Sequence, residues 1–212
     1  LTYTLLHFPG ISERSDKLSI PGNAAFYLSA IGIFFYVGAE LTISRIIQYS
    51  NPGVHSYNFI SVMLLCYWGG MMIGRFAGIG LFQRFSPLLI LLINGFSAII
   101  LLIISFFDIS HSLWFLVPTG LLNGIIFPVL FASGLQQSKY PSYFNGALLV
   151  MAISGGAVIP LFYNYLSTHY KTNISGLLIL LCYLIISITV FFQKKFTISL
   201  HPRLVNRNTI NI

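Results

Sequence analysis

Residues 87–107, PLLILLINGFSAIILLIISFF, carry no charged side chain, and this run is one of six. A helix rises about 1.5 Å per residue, so roughly 20 apolar residues cross a hydrocarbon core about 30 Å thick. Stretches of that length lie near 24–49, 59–83, 87–107, 112–137, 142–167 and 174–193. Pro52, Pro87 and Pro141 mark boundaries between them, because proline and the residue before it disfavour helix continuation. A single soluble core cannot hide so much apolar surface. The chain is 56% hydrophobic and 7% charged over 212 residues, where soluble domains carry about 25% charged residues. Its mean hydropathy is +0.84. A membrane β-barrel would show alternating segments of about ten residues, whereas these runs are long and continuous. The expected fold is an all-α membrane protein of six transmembrane helices. Residues 1–22 read as a cytoplasmic linker or tail, 23–195 as the bundle and 196–212 as a cytoplasmic C-terminal tail.

The net charge of +7 is explained by the bias of Lys and Arg toward cytoplasmic loops. With the N-terminus inside, the inner segments hold Arg14, Lys17, Arg84, Lys139, Lys194, Lys195, Arg203 and Arg207. The outer ones hold Lys171 and Arg45. Both termini are therefore expected in the cytoplasm. No basic run with interleaved aromatics is present, which argues against nucleic acid as a partner. The first 20 residues have neither a basic n-region nor a small-residue cleavage site and are not read as a signal peptide. Cys66 and Cys182 lie in separate apolar runs and read as small hydrophobes. The five histidines are scattered over loops and tails, and no hydrolase, zincin or phosphate-loop motif occurs. No enzyme activity, metal or cofactor is expected.

The first apolar run contains FFYVGAELTISRIIQYS, residues 34–50, with Glu40 deep inside it. A charge at the centre of a span costs on the order of 3 kcal/mol by insertion scales, so such a residue faces a bundle interior or a wet cavity. Tyr36, Glu40, Ser44 and Gln48 recur every fourth residue and form a slowly drifting stripe. Phenol, carboxyl, hydroxyl and amide along one wall suit a polyhydroxylated ligand. The same four groups also suit a helix–helix hydrogen-bond seam with no ligand. Burial favours the neutral acid, which makes Glu40 a candidate proton carrier. Arg75 is the other deep charge, and its Cα is placed roughly 10 Å below that of Glu40 along the membrane normal. A direct ion pair is not expected. Snorkelling, or capping of a neighbouring helix's carbonyls, is. Asn123 and Asn164 are the remaining deep amides, readable as interhelical bonds or as ligand contacts.

Small residues recur at spacing four in three spans: Gly70, Gly74 and Gly78; Gly120, Gly124 and Pro128; Ala152, Gly156 and Pro160. Each set lines one helical face. Such faces let backbones approach closely, and they serve either tight packing or a gating motion.

FFYVGAELTIS followed by YWGGMMIGRFAGIGLFQRFSP resembles the seventh and eighth helices of the fucose/glucose/galactose:proton symporter family of the major facilitator superfamily. GLLNGIIFPVLFASGL resembles its tenth helix and GALLVMAISGGAVIPLF its eleventh, so the resemblance covers about residues 23–195. It implies a transporter of two six-helix halves, each built of two inverted three-helix repeats, with substrate near the midplane. This chain then corresponds to the C-terminal half, and its missing partner is the N-terminal six-helix half or a second chain. The implied activity is proton-coupled monosaccharide uptake by alternating access across a bacterial plasma (inner) membrane. Substrate contacts would come from Tyr36, Glu40, Ser44, Gln48, Asn123 and Asn164, with Glu40 in proton coupling. Gly70, Gly74, Arg75, Gly78, Gly120, Gly124, Gly156 and Pro160 would serve gating or packing. Arg84 would be the basic residue of the short loop in the superfamily signature, whose acidic residue is not present here. The alternative is a six-helix membrane fragment or interaction protein that transports nothing.

Overall fold

The computed structural model describes residues 24–49, 56–107, 112–137, 143–169 and 176–193. The tails and most of the loop cations lie outside the described residues. Among the described residues, six helical segments are long and apolar enough to cross a membrane. The first is α1 (Ala24–Gln48), the second α2 (Tyr57–Phe82) and the third α3 (Pro87–Phe107). The fourth is broken into α4 (Ser112–Leu116), α5 (Thr119–Asn123) and α6 (Ile126–Gln137). The fifth consists of α7 (Tyr143–Met151), a 3₁₀ turn at Ala152–Ser154 and α8 (Gly155–His169). The sixth is α9 (Gly176–Gln193).

Local chemistry accounts for these ends and breaks. Ser56 caps α2, its hydroxyl accepting from the Phe59 amide at 3.3 Å. In the fourth span, Pro118 and Pro128 each lack the amide hydrogen that a continuous helix needs and crowd the carbonyl four residues back. Breaks accordingly fall at Val117–Pro118 and at Gly124–Ile125. The fourth span is thus interrupted twice. Pro128 is tolerated because it is the third residue of α6, where amides have no partner within their own helix. Pro160 sits inside α8, just beyond the 3₁₀ turn that tightens the fifth span.

Glycine decides the packing. A Cβ on Gly74 would run into the Leu121 carbonyl oxygen, one on Gly120 into that of Tyr67, and one on Gly124 into that of Met71. The backbones of α2 and α5 are thus in direct contact along Gly70 and Gly74, and one turn on Gly78 meets the Ile125 side chain just past α5. A second seam of the same kind joins α1 to α8, where Gly155 lies against the Phe34 carbonyl and Gly38 against Ile159. Gly156 meets Val37 and Leu41 in that seam. Exchanging spans one to three with spans four to six turns one seam into the other. The first three spans and the last three are thus interleaved through a matching pair of seams.

Where the third and sixth spans meet, Gly95 faces the Ser187 hydroxyl. That hydroxyl is buried and has no hydrogen-bond partner among the described residues. A buried unsatisfied hydroxyl costs about 1–3 kcal/mol. Ser187→Ala is therefore expected to leave thermal stability unchanged or to raise it by up to about 1 kcal/mol. Heating the purified variant beside the parent and scoring the monodisperse fraction checks this.

Candidate functional site

Tyr36 projects from the middle of α1 and is 1% exposed. Its hydroxyl donates to the Asn123 carbonyl at 2.9 Å. Glu40 follows one turn later at 9% exposure, with its carboxyl close enough to interact with the Tyr36 hydroxyl. Asn123 closes α5, its side chain fully buried. Its amide oxygen accepts from the Tyr183 hydroxyl of α9 at 2.7 Å. Its amide nitrogen donates to the Tyr67 hydroxyl of α2 at 3.2 Å. Tyr67 in turn donates to the backbone carbonyl of Glu40 at 3.1 Å. One polar cluster therefore ties together four of the six spans.

The chain of bonds has a direction. Tyr183 donates to Asn123, Asn123 to Tyr67, and Tyr67 to the α1 backbone. Bonds in series polarise one another in a low-dielectric interior, so a fully connected cluster holds its geometry firmly. At its edge Glu40 retains some accessible surface. A carboxyl so placed can carry a proton or accept hydrogen bonds from hydroxyls, and the tyrosine rings supply flat apolar faces.

Arg75 lies near enough to act on Glu40 through space. Its hydrogen bonds go elsewhere, from Nε to the Gly124 carbonyl at 3.3 Å and from a terminal nitrogen to the Met71 sulfur at 3.7 Å. It caps a carbonyl of the fourth span rather than pairing with the acid. Arg84 is exposed in the turn between α2 and α3.

Three of the six residues expected at a ligand wall are brought together: Tyr36, Glu40 and Asn123. Ser44 is buried one turn beyond Glu40, but its hydroxyl donates to the Leu41 carbonyl of its own helix at 3.0 Å. Gln48 is exposed at the end of α1, and Asn164 is exposed on α8. The Asn164 carbonyl accepts from the Ser167 and Thr168 hydroxyls, each at 2.9 Å. Neither Gln48 nor Asn164 joins the cluster.

Three residues of the site escape a reading of the sequence. Tyr67 carries a usable signal, because helical periodicity puts it on the face of Gly74 and Gly78. Tyr183 shares its buried face with Ile179, Ile186 and Val190 and reads as core. Asn94, midway along α3, donates from its amide nitrogen to the Leu122 carbonyl at 2.8 Å. Of the two cysteines, Cys182 is buried and Cys66 faces outward. Among the described residues no three His, Cys, Asp or Glu side chains gather as metal ligands would.

No model of a known protein family matches the chain. It is 32% identical over 194 residues to the glucose/galactose transporter of Brucella abortus biovar 1 (strain 9-941), covering 86% of this chain and 47% of that protein. It is 28% identical over 215 residues to the L-fucose-proton symporter of Escherichia coli (strain K12), covering 92% of this chain and 48% of that one. Its backbone resembles the crystal structure of the major facilitator superfamily transporter FucP in the outward conformation. The TM-score is 0.72 at 24% identity, over 80% of this chain and 42% of that chain. The chain spans about half the length of the curated relatives it matches.

Proposed function

We propose that the chain, which resembles the fucose/glucose/galactose:proton symporter family, is the C-terminal half of a proton-coupled monosaccharide transporter working by alternating access. The observation that carries this reading is Glu40, a carboxyl deep in a membrane-spanning helix, next to Tyr36 and set among Tyr67, Tyr183 and Asn123. An intramembrane acid is costly, and it is retained where a proton or solute path needs it. In this reading Glu40 exchanges the coupled proton. The cluster behind it sets the helix geometry that presents Glu40 to the sugar.

The second half is the expected partner. The second and fifth spans are the least buried of the six. They present Leu65, Met72, Ile73, Phe76, Met151, Leu161 and Phe162 outward. Lipid and a companion six-helix half together would cover those faces. Gln48 and Asn164 stand on exposed surface, where a companion half or an entering sugar can meet them. Both termini are proposed to face the cytoplasm, from the distribution of Lys and Arg along the chain. Arg75 and the glycine seams would shape the inner gate.

Vesicles containing this chain alone, and vesicles containing it with the N-terminal six helices of a relative, test the proposal by uptake of labelled glucose, galactose and fucose under an imposed proton gradient. Concentrative uptake of at least one sugar by the paired sample is the expected result. Its absence from both samples, with each protein inserted and folded, would leave the non-transporting fragment as the reading.

A further inference from the structure

Three consecutive carbonyls at the break in the fourth span accept hydrogen bonds from three different helices. Leu122 accepts from Asn94 of α3 at 2.8 Å, Asn123 from Tyr36 of α1 at 2.9 Å, and Gly124 from Arg75 of α2 at 3.3 Å. The last of these has a specific chemical cause. In a continuous helix the Gly124 carbonyl would accept from the amide of residue 128. Residue 128 is proline and has no such hydrogen. In a low-dielectric surrounding an unanswered carbonyl is costly, and another donor must be found.

Arg75 can reach it only because the backbones touch. A Cβ on Gly124 would collide with the Met71 carbonyl and the Arg75 amide. The guanidinium therefore starts from the helix turn pressed against the break. A guanidinium is always protonated, so its donor is present at any physiological pH.

We propose that Arg75 is the surrogate donor for Pro128, and that with Asn94 and Tyr36 it clamps the fourth span in its broken setting. Arg75 is then a positioning residue. It acts through the Gly124 carbonyl on Asn123, the residue next to it, and so on the direction in which the Asn123 amide meets Tyr67 and Tyr183. The inference stands on backbone chemistry and does not rest on transport.

The test is a double-variant cycle read by distance. Spin labels are placed at the exposed positions Trp114 and Gln136, on either side of the break. The full chain is held in lipid nanodiscs, with Cys66 and Cys182 replaced by alanine. The labelled positions are 22 residues apart, about 33 Å if the span were a straight helix. The parent is expected to show one narrow distance, shorter than that. Arg75→Met removes the donor and should broaden the distribution about twofold. Pro128→Ala restores a backbone amide to the Gly124 carbonyl, so Pro128→Ala and the double variant Arg75→Met/Pro128→Ala should both give one narrow, longer distance. An Arg75→Met distribution as narrow as the parent's would overturn the proposal. So would a double variant as broad as Arg75→Met alone. If Arg75→Met does not accumulate as folded protein, accumulation itself becomes the readout. Recovery by Pro128→Ala supports the surrogate role, and no recovery refutes it, since a general packing defect at Arg75 is not repaired by one amide hydrogen on another helix.

Discussion

Gly74→Ala lowers the thermal stability of the bundle sharply, while Gly80→Ala in the same helix leaves it unchanged or raises it. The added methyl is the same, but its surroundings are not. At Gly74 the new carbon would overlap the Leu121 carbonyl oxygen, which is backbone and cannot rotate away. At Gly80 nothing lies within 4 Å. Relieving the clash means prising α2 from α5 along a seam where Gly120 and Gly124 are equally tight against α2. Overpacking costs about 1–3 kcal/mol and occasionally more, and here the separation also loosens the Tyr67 and Arg75 bonds to the fourth span. A loss of about 3 kcal/mol corresponds to a fall in Tm of roughly 6–12 °C for a chain of this size. Gly80→Ala gains up to about 1 kcal/mol of helix propensity. Both variants are read by unfolding in the same detergent. Equal Tm values for the two would show that α2 and α5 do not touch as described.

Under the proposed function, Glu40→Gln is expected to remove concentrative uptake from the assembled transporter while leaving it folded. Glutamine matches glutamate in shape and keeps an oxygen at the same place, so the packing around Tyr36 and Tyr67 is retained. What is lost is the carboxyl proposed to exchange the proton. A membrane potential of 100 mV is worth about 2.3 kcal/mol per elementary charge, which supports ~50-fold accumulation when one proton accompanies one sugar. The expected accumulation ratio of the variant is about one, with exchange of labelled for unlabelled sugar still measurable. Accumulation at the parental level under the same gradient would exclude Glu40 from coupling.

The six spans are legible in the sequence because crossing a bilayer fixes both length and polarity. The glycine faces are legible because spacing four is one side of a helix, and Gly70, Gly74 and Gly78 do meet the fourth span. The stripe on α1 stays buried for two turns and then rotates outward. Residues turn by about 100° each, so Gln48, twelve positions after Tyr36, has swung roughly 120° away from it. That rotation carries Gln48 out to the exposed surface while Tyr36 stays inside. Asn94 and Tyr183 are not legible, because nothing local tells which of many apolar faces each will meet. Their roles depend on where the broken fourth span comes to rest. Gly155 illustrates the same limit. The spacing points to Gly156, yet its neighbour makes the closer approach to α1.

The two glycine seams have a consequence for biogenesis. The first span leans on the fifth, the second on the fourth, and α3 packs on the fourth and the sixth. Neither trio of helices owns a finished interior. Within this bundle the glycine grooves of the first two spans are therefore filled only once the fifth and fourth spans have been inserted beside them.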